Sequence, residues 1–121
     1  MIKGLRVSSV WSADLNNLLP FYRDVLGLPV GMESPGFVIL GDPNAPTAAL
    51  GTHSEVQGPA KDPARHILGF ETDDIRGDCA RLKSAGVEFV EEPNSMGPVW
   101  VATCKDPEGN LVQLLQFNGP M

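Results

Sequence analysis

The chain has 121 residues, 42% hydrophobic and 20% charged, with a formal net charge of -6. This length suits one domain with a real core, and no apolar run approaches the roughly 18 residues of a membrane-spanning helix. The acidic balance argues against a nucleic-acid partner, since no basic patch is present to neutralise phosphates.

Met1-Ile2-Lys3-Gly4 leads straight into strand-like sequence without a secretory apolar segment, so a cytoplasmic location is expected. Leu5–Val10 alternates as a half-buried strand. Asp14 is the expected N-cap of a helix reaching to about Leu26, with Leu15, Leu18, Leu19, Tyr22, Val25 and Leu26 on one face and Gly27 as its stop. Pro20 lies past the first turn and removes a helix hydrogen bond, which predicts a kink or a later start. Strands follow around Pro29–Glu33, Phe37–Leu40 and Thr47–Thr52, with a turn at Asp42-Pro43-Asn44-Ala45-Pro46. The polar, proline-containing stretch 54–65 reads as a linker.

The pattern then recurs. His66–Glu71 is strand-like, Asp74 opens a helix with Ile75, Cys79 and Leu82 on one face, and Gly86 closes it. Strands are expected at Val87–Val90 and Val99–Cys104, and the Asp106-Pro107-Glu108-Gly109-Asn110 turn launches a last strand through Phe117. Asp14-Leu15 corresponds to Asp74-Ile75, Gly27 to Gly86, and Asp42-Pro43 to Asp106-Pro107. The expected class is therefore α+β. Two tandem βαβββ modules, about 3–53 and 66–118, form curved mixed sheets around a cavity with helices on the outer faces. Cys79 and Cys104 have no CxxC or zinc-ligand spacing and read as reduced thiols.

Asp14-Leu15 together with Phe21-Tyr22-Arg23-Asp24-Val25-Leu26-Gly27-Leu28 resembles the first-helix signature of the vicinal oxygen chelate superfamily. That group includes glyoxalase I, bleomycin- and fosfomycin-resistance proteins and extradiol dioxygenases. Phe70-Glu71-Thr72-Asp73-Asp74-Ile75, Ala85-Gly86-Val87 and the 106–110 turn resemble its second module. The resemblance spans essentially the whole chain and implies the fold, whereas function varies widely on this scaffold. In enzymatic members it implies a divalent metal held by His, Glu or Gln on inward-facing strand positions. Carried over singly, those positions are Val7, Ile67, Gln113 and, with a looser register, Ala49. Three of these side chains cannot bind a metal, and a lone Gln113 is a weak neutral ligand. His66, one residue from Ile67, and His53, just past the fourth strand, are the remaining metal candidates.

These positions favour a metal-free small-molecule-binding protein of the bleomycin-resistance kind, sequestering an antibiotic or metabolite. Its expected ligand-binding residues are Val7, Ser9, Trp11, Ala49, Ile67, Glu71, Trp100 and Gln113. The tryptophans supply aromatic walls, and Gln113 and Ser9 supply hydrogen bonds. Glu71 could equally be a general base, a cation partner or a strand-end salt bridge, and Gln113 could be a structural hydrogen bond across the sheet. No catalytic residue or nucleophile–base motif is recognised, and no cofactor is expected. The alternative is a glyoxalase-like lyase, isomerase or dioxygenase with an atypical Zn, Ni, Mn or Fe site. A third reading is an interaction module with a filled cavity. The resemblance also implies a homodimer.

Overall fold

The structure is a computed structural model that describes residues 1–117, so the expected module end at residue 118 lies outside it. The described residues divide into two compact units, Met1–Gly58 and a second that begins at Pro59.

Unit 1 contains β1 (Val7–Ser12), β2 (Val30–Ser34), β3 (Phe37–Leu40) and β4 (Thr47–Thr52) in the order β1-β4-β3-β2. β1 pairs parallel with β4, and the other pairs are antiparallel. Unit 2 contains β5 (Leu68–Glu71), helix α1 (Ile75–Ser84), β6 (Phe89–Met96), β7 (Val99–Lys105) and β8 (Leu111–Phe117). Its order, β5-β8-β7-β6, repeats that of unit 1, and again the first and last strands run parallel. Two four-stranded mixed sheets built from tandem βαβββ modules are thus present.

The repeat extends to the turns. The Asp14 carboxylate accepts the Asn16 N–H at 3.0 Å, and Asp74 accepts the Gly77 N–H at 3.1 Å, each satisfying a donor that a helix start leaves orphaned. Gly27 and Gly86 close the two helical stretches at φ of 82° and 91°, a region that costs a side-chain-bearing residue energy. Asp42 and Asp106 both fold their turns by accepting backbone N–H groups, from Asn44 in one and from Glu108 and Asn110 in the other.

The kink expected at Pro20 is present and divides the first helical stretch. Leu15–Asn17 is a 3-10 turn and Phe21–Val25 a π-helical turn, in which the Leu26 N–H reaches back to the Phe21 carbonyl at 2.8 Å. Leu15, Leu18, Leu19, Phe21 and Tyr22 are nonetheless buried, so tertiary packing holds what the backbone ladder does not. β1 starts two residues later than expected, because Leu5 is 76% exposed and outside the pairing. The strand instead runs on to Ser12, whose hydroxyl donates to the Asp14 carbonyl and accepts the Asp14 N–H. β6 is longer than the expected Val87–Val90. Two register shifts, either side of Glu91, let it continue through Pro93 as an edge strand.

Candidate functional site

Each sheet has one face covered by its own helical segment. In unit 1, the Leu15 N–H donates to Thr52 Oγ1 at 2.9 Å, tying the helical stretch to the face that carries Val10, Val38, Leu40, Ala48 and Leu50. The alternate residues of each strand point to the opposite face. On β1 these are Val7, Ser9 and Trp11; Ser9 pairs with Ala49, and Trp11 with Gly51. Four residues expected in the site, Val7, Ser9, Trp11 and Ala49, are therefore brought together on this opposite face. Ala49 is fully buried, whereas Trp11 remains 40% exposed and accessible to a ligand.

The dominant feature here is an aromatic shelf. Gly51 pairs with Trp11 on one side and Phe37 on the other, and the two rings lean over it from both flanks. Their centroids are 5.8 Å apart with 28° between the planes. A methyl group on Gly51 would lie 2.3 Å from Trp11 Cζ3 and 3.2 Å from Phe37 Cδ1, so glycine at this position is what allows the indole to lie down on the sheet. The His53 ring meets Trp11 edge-on at 5.6 Å, and His53 Nδ1 accepts the Glu55 N–H at 3.1 Å. That bond makes Nε2 the protonated nitrogen of the neutral ring. His53, expected at the end of the strand, thus belongs to the aromatic cluster.

In unit 2, α1 covers the face carrying Leu68, Ala102, Cys104, Val112, Leu114 and Gln116. The Gln116 carboxamide accepts the Ile75 N–H at 2.7 Å and so anchors the helix start. Gly69, Glu71, Gln113 and Leu115 alternate onto the other face, and Ile67 precedes β5 with the same parity. Thr103 is the cross-strand partner of Gln113 and shares that face. Trp100 requires a correction. It pairs with Gln116, lies on the helix-covered face and sits under the Arg76 guanidinium at 5.3 Å. The sheet itself separates it from Gln113, and its ring contributes to packing against α1 rather than to a wall beside Gln113.

Glu71 is exposed and lines an open cleft of about 500 Å³ with Thr72, Asp73 and Asp78, where the Thr72 hydroxyl donates to the Asp78 carboxylate. His66 is exposed at the end of the 3-10 turn Pro63–Arg65, outside β5. The donor set does not fit a metal of the kind the fold family uses. Val7, Ala49 and Ile67 have no lone pair to offer, and Gln113 contributes one neutral oxygen. Among the described residues no group of three or more His, Cys, Asp or Glu side chains is placed to hold an ion. Nor is any described helix long and apolar enough to cross a membrane.

The sequence reading missed Phe37 and Thr103. Phe37 opens the apolar run 37–40, where nothing but its pairing with Gly51 marks it out. Thr103 had a usable signal: counting both strands outward from the 106–110 turn places it opposite Gln113.

Comparison with known proteins agrees with this architecture. Residues 6–114 match the model of the Glyoxalase/Bleomycin resistance protein/Dioxygenase superfamily. The chain is 32% identical to the uncharacterized protein YurT of Bacillus subtilis (strain 168), over 91% of this chain and 96% of that one. Among solved structures it is similar to TnmS3, an antibiotic binding protein from Streptomyces sp. CB03234. The TM-score is 0.74 at 26% identity, covering 96% of this chain and 97% of TnmS3. The trypanothione-dependent glyoxalase I of Leishmania major shares the fold, with a TM-score of 0.75 at 19% identity, covering 95% of this chain and 87% of that one. A match over this much of the sequence, on two sheets of repeated strand order, assigns the chain to a family: it belongs to the Glyoxalase/Bleomycin resistance protein/Dioxygenase superfamily.

Proposed function

We propose that this protein binds a small molecule, an antibiotic or a metabolite, and sequesters it without metal and without transforming it. The observation that carries this reading is the Trp11–Phe37 shelf over Gly51. A flat ring laid on it would bury roughly 100 Å² of apolar surface, about 2.5 kcal/mol at the usual transfer coefficient. Stacking adds about 0.5–1.5 kcal/mol. Val7, exposed on the same face, extends the apolar surface where an enzyme of this superfamily would need a donor. Ser9, on the same face as Trp11, supplies a hydrogen bond. The net charge of -6 disfavours anionic ligands. Similarity to an antibiotic binding protein supports the same reading. Assembly as a homodimer is part of the proposal, checked by light scattering on the purified protein.

The test uses Trp11 as its own reporter. In a Trp100→Phe background, planar cationic antibiotics are expected to quench the remaining tryptophan with saturation, and Trp11→Leu is expected to abolish binding as read by titration calorimetry. If no compound of a broad planar panel quenches Trp11, or if affinity survives Trp11→Leu, the shelf is not the binding surface and the reading fails.

A further inference from the structure

On the open face of the unit 2 sheet, we infer that Gln113 and Thr103 form a hydrogen-bonding pair that recognises the lactam edge of a small heterocycle. This rests on the small-molecule-binding reading and names the ligand chemistry that reading leaves open.

Gln113 on β8 and Thr103 on β7 are direct cross-strand partners, so their Cβ atoms stand about 5 Å apart on one face. Thr103 is 6% exposed and Gln113 is half-buried. Neither the Thr103 hydroxyl nor the Gln113 carboxamide has a hydrogen-bonding partner among the described residues. Buried polar groups are ordinarily paired, and each one left without a partner costs about 1–3 kcal/mol. Yet no side-chain oxygen or nitrogen among the described residues is both sealed from solvent and unpartnered. The Thr103 hydroxyl therefore opens toward space above the sheet, although nearly all of the residue is covered. Two strand-centre polar groups held side by side, without side-chain partners among the described residues, are available to a ligand.

Their chemistry narrows the class. A carboxamide presents an acceptor oxygen and a donor nitrogen side by side in one plane. Its reciprocal partner is a cis amide, which small molecules carry as a ring lactam or imide. The Thr103 hydroxyl can add a third bond by donating to the lactam carbonyl. Leu115, half-buried one step along the same face, supplies apolar surface for the ring. A carboxylate could match the acceptor pattern in part. Glu71 and Glu91, the latter paired with Thr103, place two acidic side chains on this face and oppose an anion there.

The probe is 2-pyridone, titrated into 15N-labelled full-length protein and followed by two-dimensional NMR, with N-methyl-2-pyridone and benzoate as controls. The side-chain amide pair of Gln113, identified by its loss in Gln113→Leu, is expected to shift with saturation. N-methylation of the probe, Thr103→Val and Gln113→Leu should each weaken binding roughly fivefold or more. Because the hydroxyl has no internal partner to lose, Thr103→Val should leave Tm unchanged or higher. The inference is overturned if 2-pyridone causes no shift at Gln113, or if N-methyl-2-pyridone or benzoate binds as well. Unchanged affinity in either variant, or a Tm lowered by Thr103→Val, overturns it too. Failure here with Trp11 quenching intact removes the lactam pair alone. Failure of Trp11 quenching with the pyridone result intact removes the shelf alone.

Discussion

Gly51→Ala is the most informative single change, because its magnitude follows from one geometry. The new methyl carbon would lie 2.3 Å from Trp11 Cζ3 and 2.6 Å from Cε3. Nonbonded carbons prefer about 3.5–4.0 Å, so more than 1 Å of overlap must be relieved. β4 cannot yield, since it is hydrogen-bonded on both sides, to β1 and to β3. The indole yields instead: it is 40% exposed and can rotate away from the sheet. What is lost is the Trp11–Phe37 stacking, about 0.5–1.5 kcal/mol, partly offset by the lower chain entropy of alanine in a strand, about 0.5–1 kcal/mol. The expected net change is thus within about 1 kcal/mol, or a Tm shift of a few degrees for a domain of this size. The planar-ligand surface, by contrast, is dismantled. Near-UV circular dichroism should show the tryptophan signal altered, and the affinity of any Trp11-quenching ligand should fall tenfold or more. A Gly51→Ala protein with unchanged near-UV spectrum and unchanged ligand affinity would refute the shelf as the binding surface. A loss of several kcal/mol would refute the claim that Trp11 is free to move.

Four further outcomes are expected. Adding Zn, Ni, Mn or Fe(II) to metal-stripped protein should leave Tm unchanged; a large increase that His66→Ala or His53→Ala removes would restore the metalloenzyme alternative. Burial raises the Cys79 and Cys104 thiols from 9.0 to about 11, so neither should react with a thiol reagent at pH 8 until urea unfolds the chain. The folded state then holds more protons than the unfolded state between about pH 9 and 11, so this contribution to stability is full below that window and lost through it, as urea melts at stepped pH should show. Gln116→Leu should destabilise by about 1–3 kcal/mol in urea, because it leaves the Ile75 N–H at the start of α1 without its acceptor in a buried setting; an unchanged midpoint would show that water replaces the carboxamide.

The repeat was legible in the sequence because its signals are local. An Asp at a helix start, a Gly past its end and an Asp-Pro turn each report on a few neighbouring residues. Asp14, Asp74, Gly27, Gly86 and Asp106 accordingly occupy the structural roles their types suggest. The face of a side chain is legible only when register is known. Gln113 could be assigned because its strand is pinned by the 106–110 turn. The same count would have placed Trp100 opposite Gln116 and Thr103 opposite Gln113. Aromatic character alone, without the count, put Trp100 in the site. The Trp11–Phe37 shelf lay further from view, because it depends on β4 lying between β1 and β3, an order that sequence adjacency does not suggest. The length of β6 was hidden by Pro93, whose missing N–H argues against a central strand but is harmless at the sheet edge.

The two units differ in what their open faces offer, and the difference has a common cause. β1 and β4 place Val7 and Ala49 beside Trp11 and Gly51, and on that face the available chemistry is flat and apolar. β8 places one polar group, Gln113, on its other face, and a neutral carboxamide is a poor metal ligand. It stays half-buried on a strand beside the unpartnered Thr103 hydroxyl. Replacing them by Leu and Val breaks no hydrogen bond among the described residues, so the fold loses none that they supply. A pair that gives the fold no hydrogen bond among the described residues is best accounted for by what it binds. Combining Thr103→Val with Gln113→Leu should therefore leave Tm unchanged or higher while abolishing 2-pyridone binding, and a double variant with lowered Tm would show that the pair serves the fold.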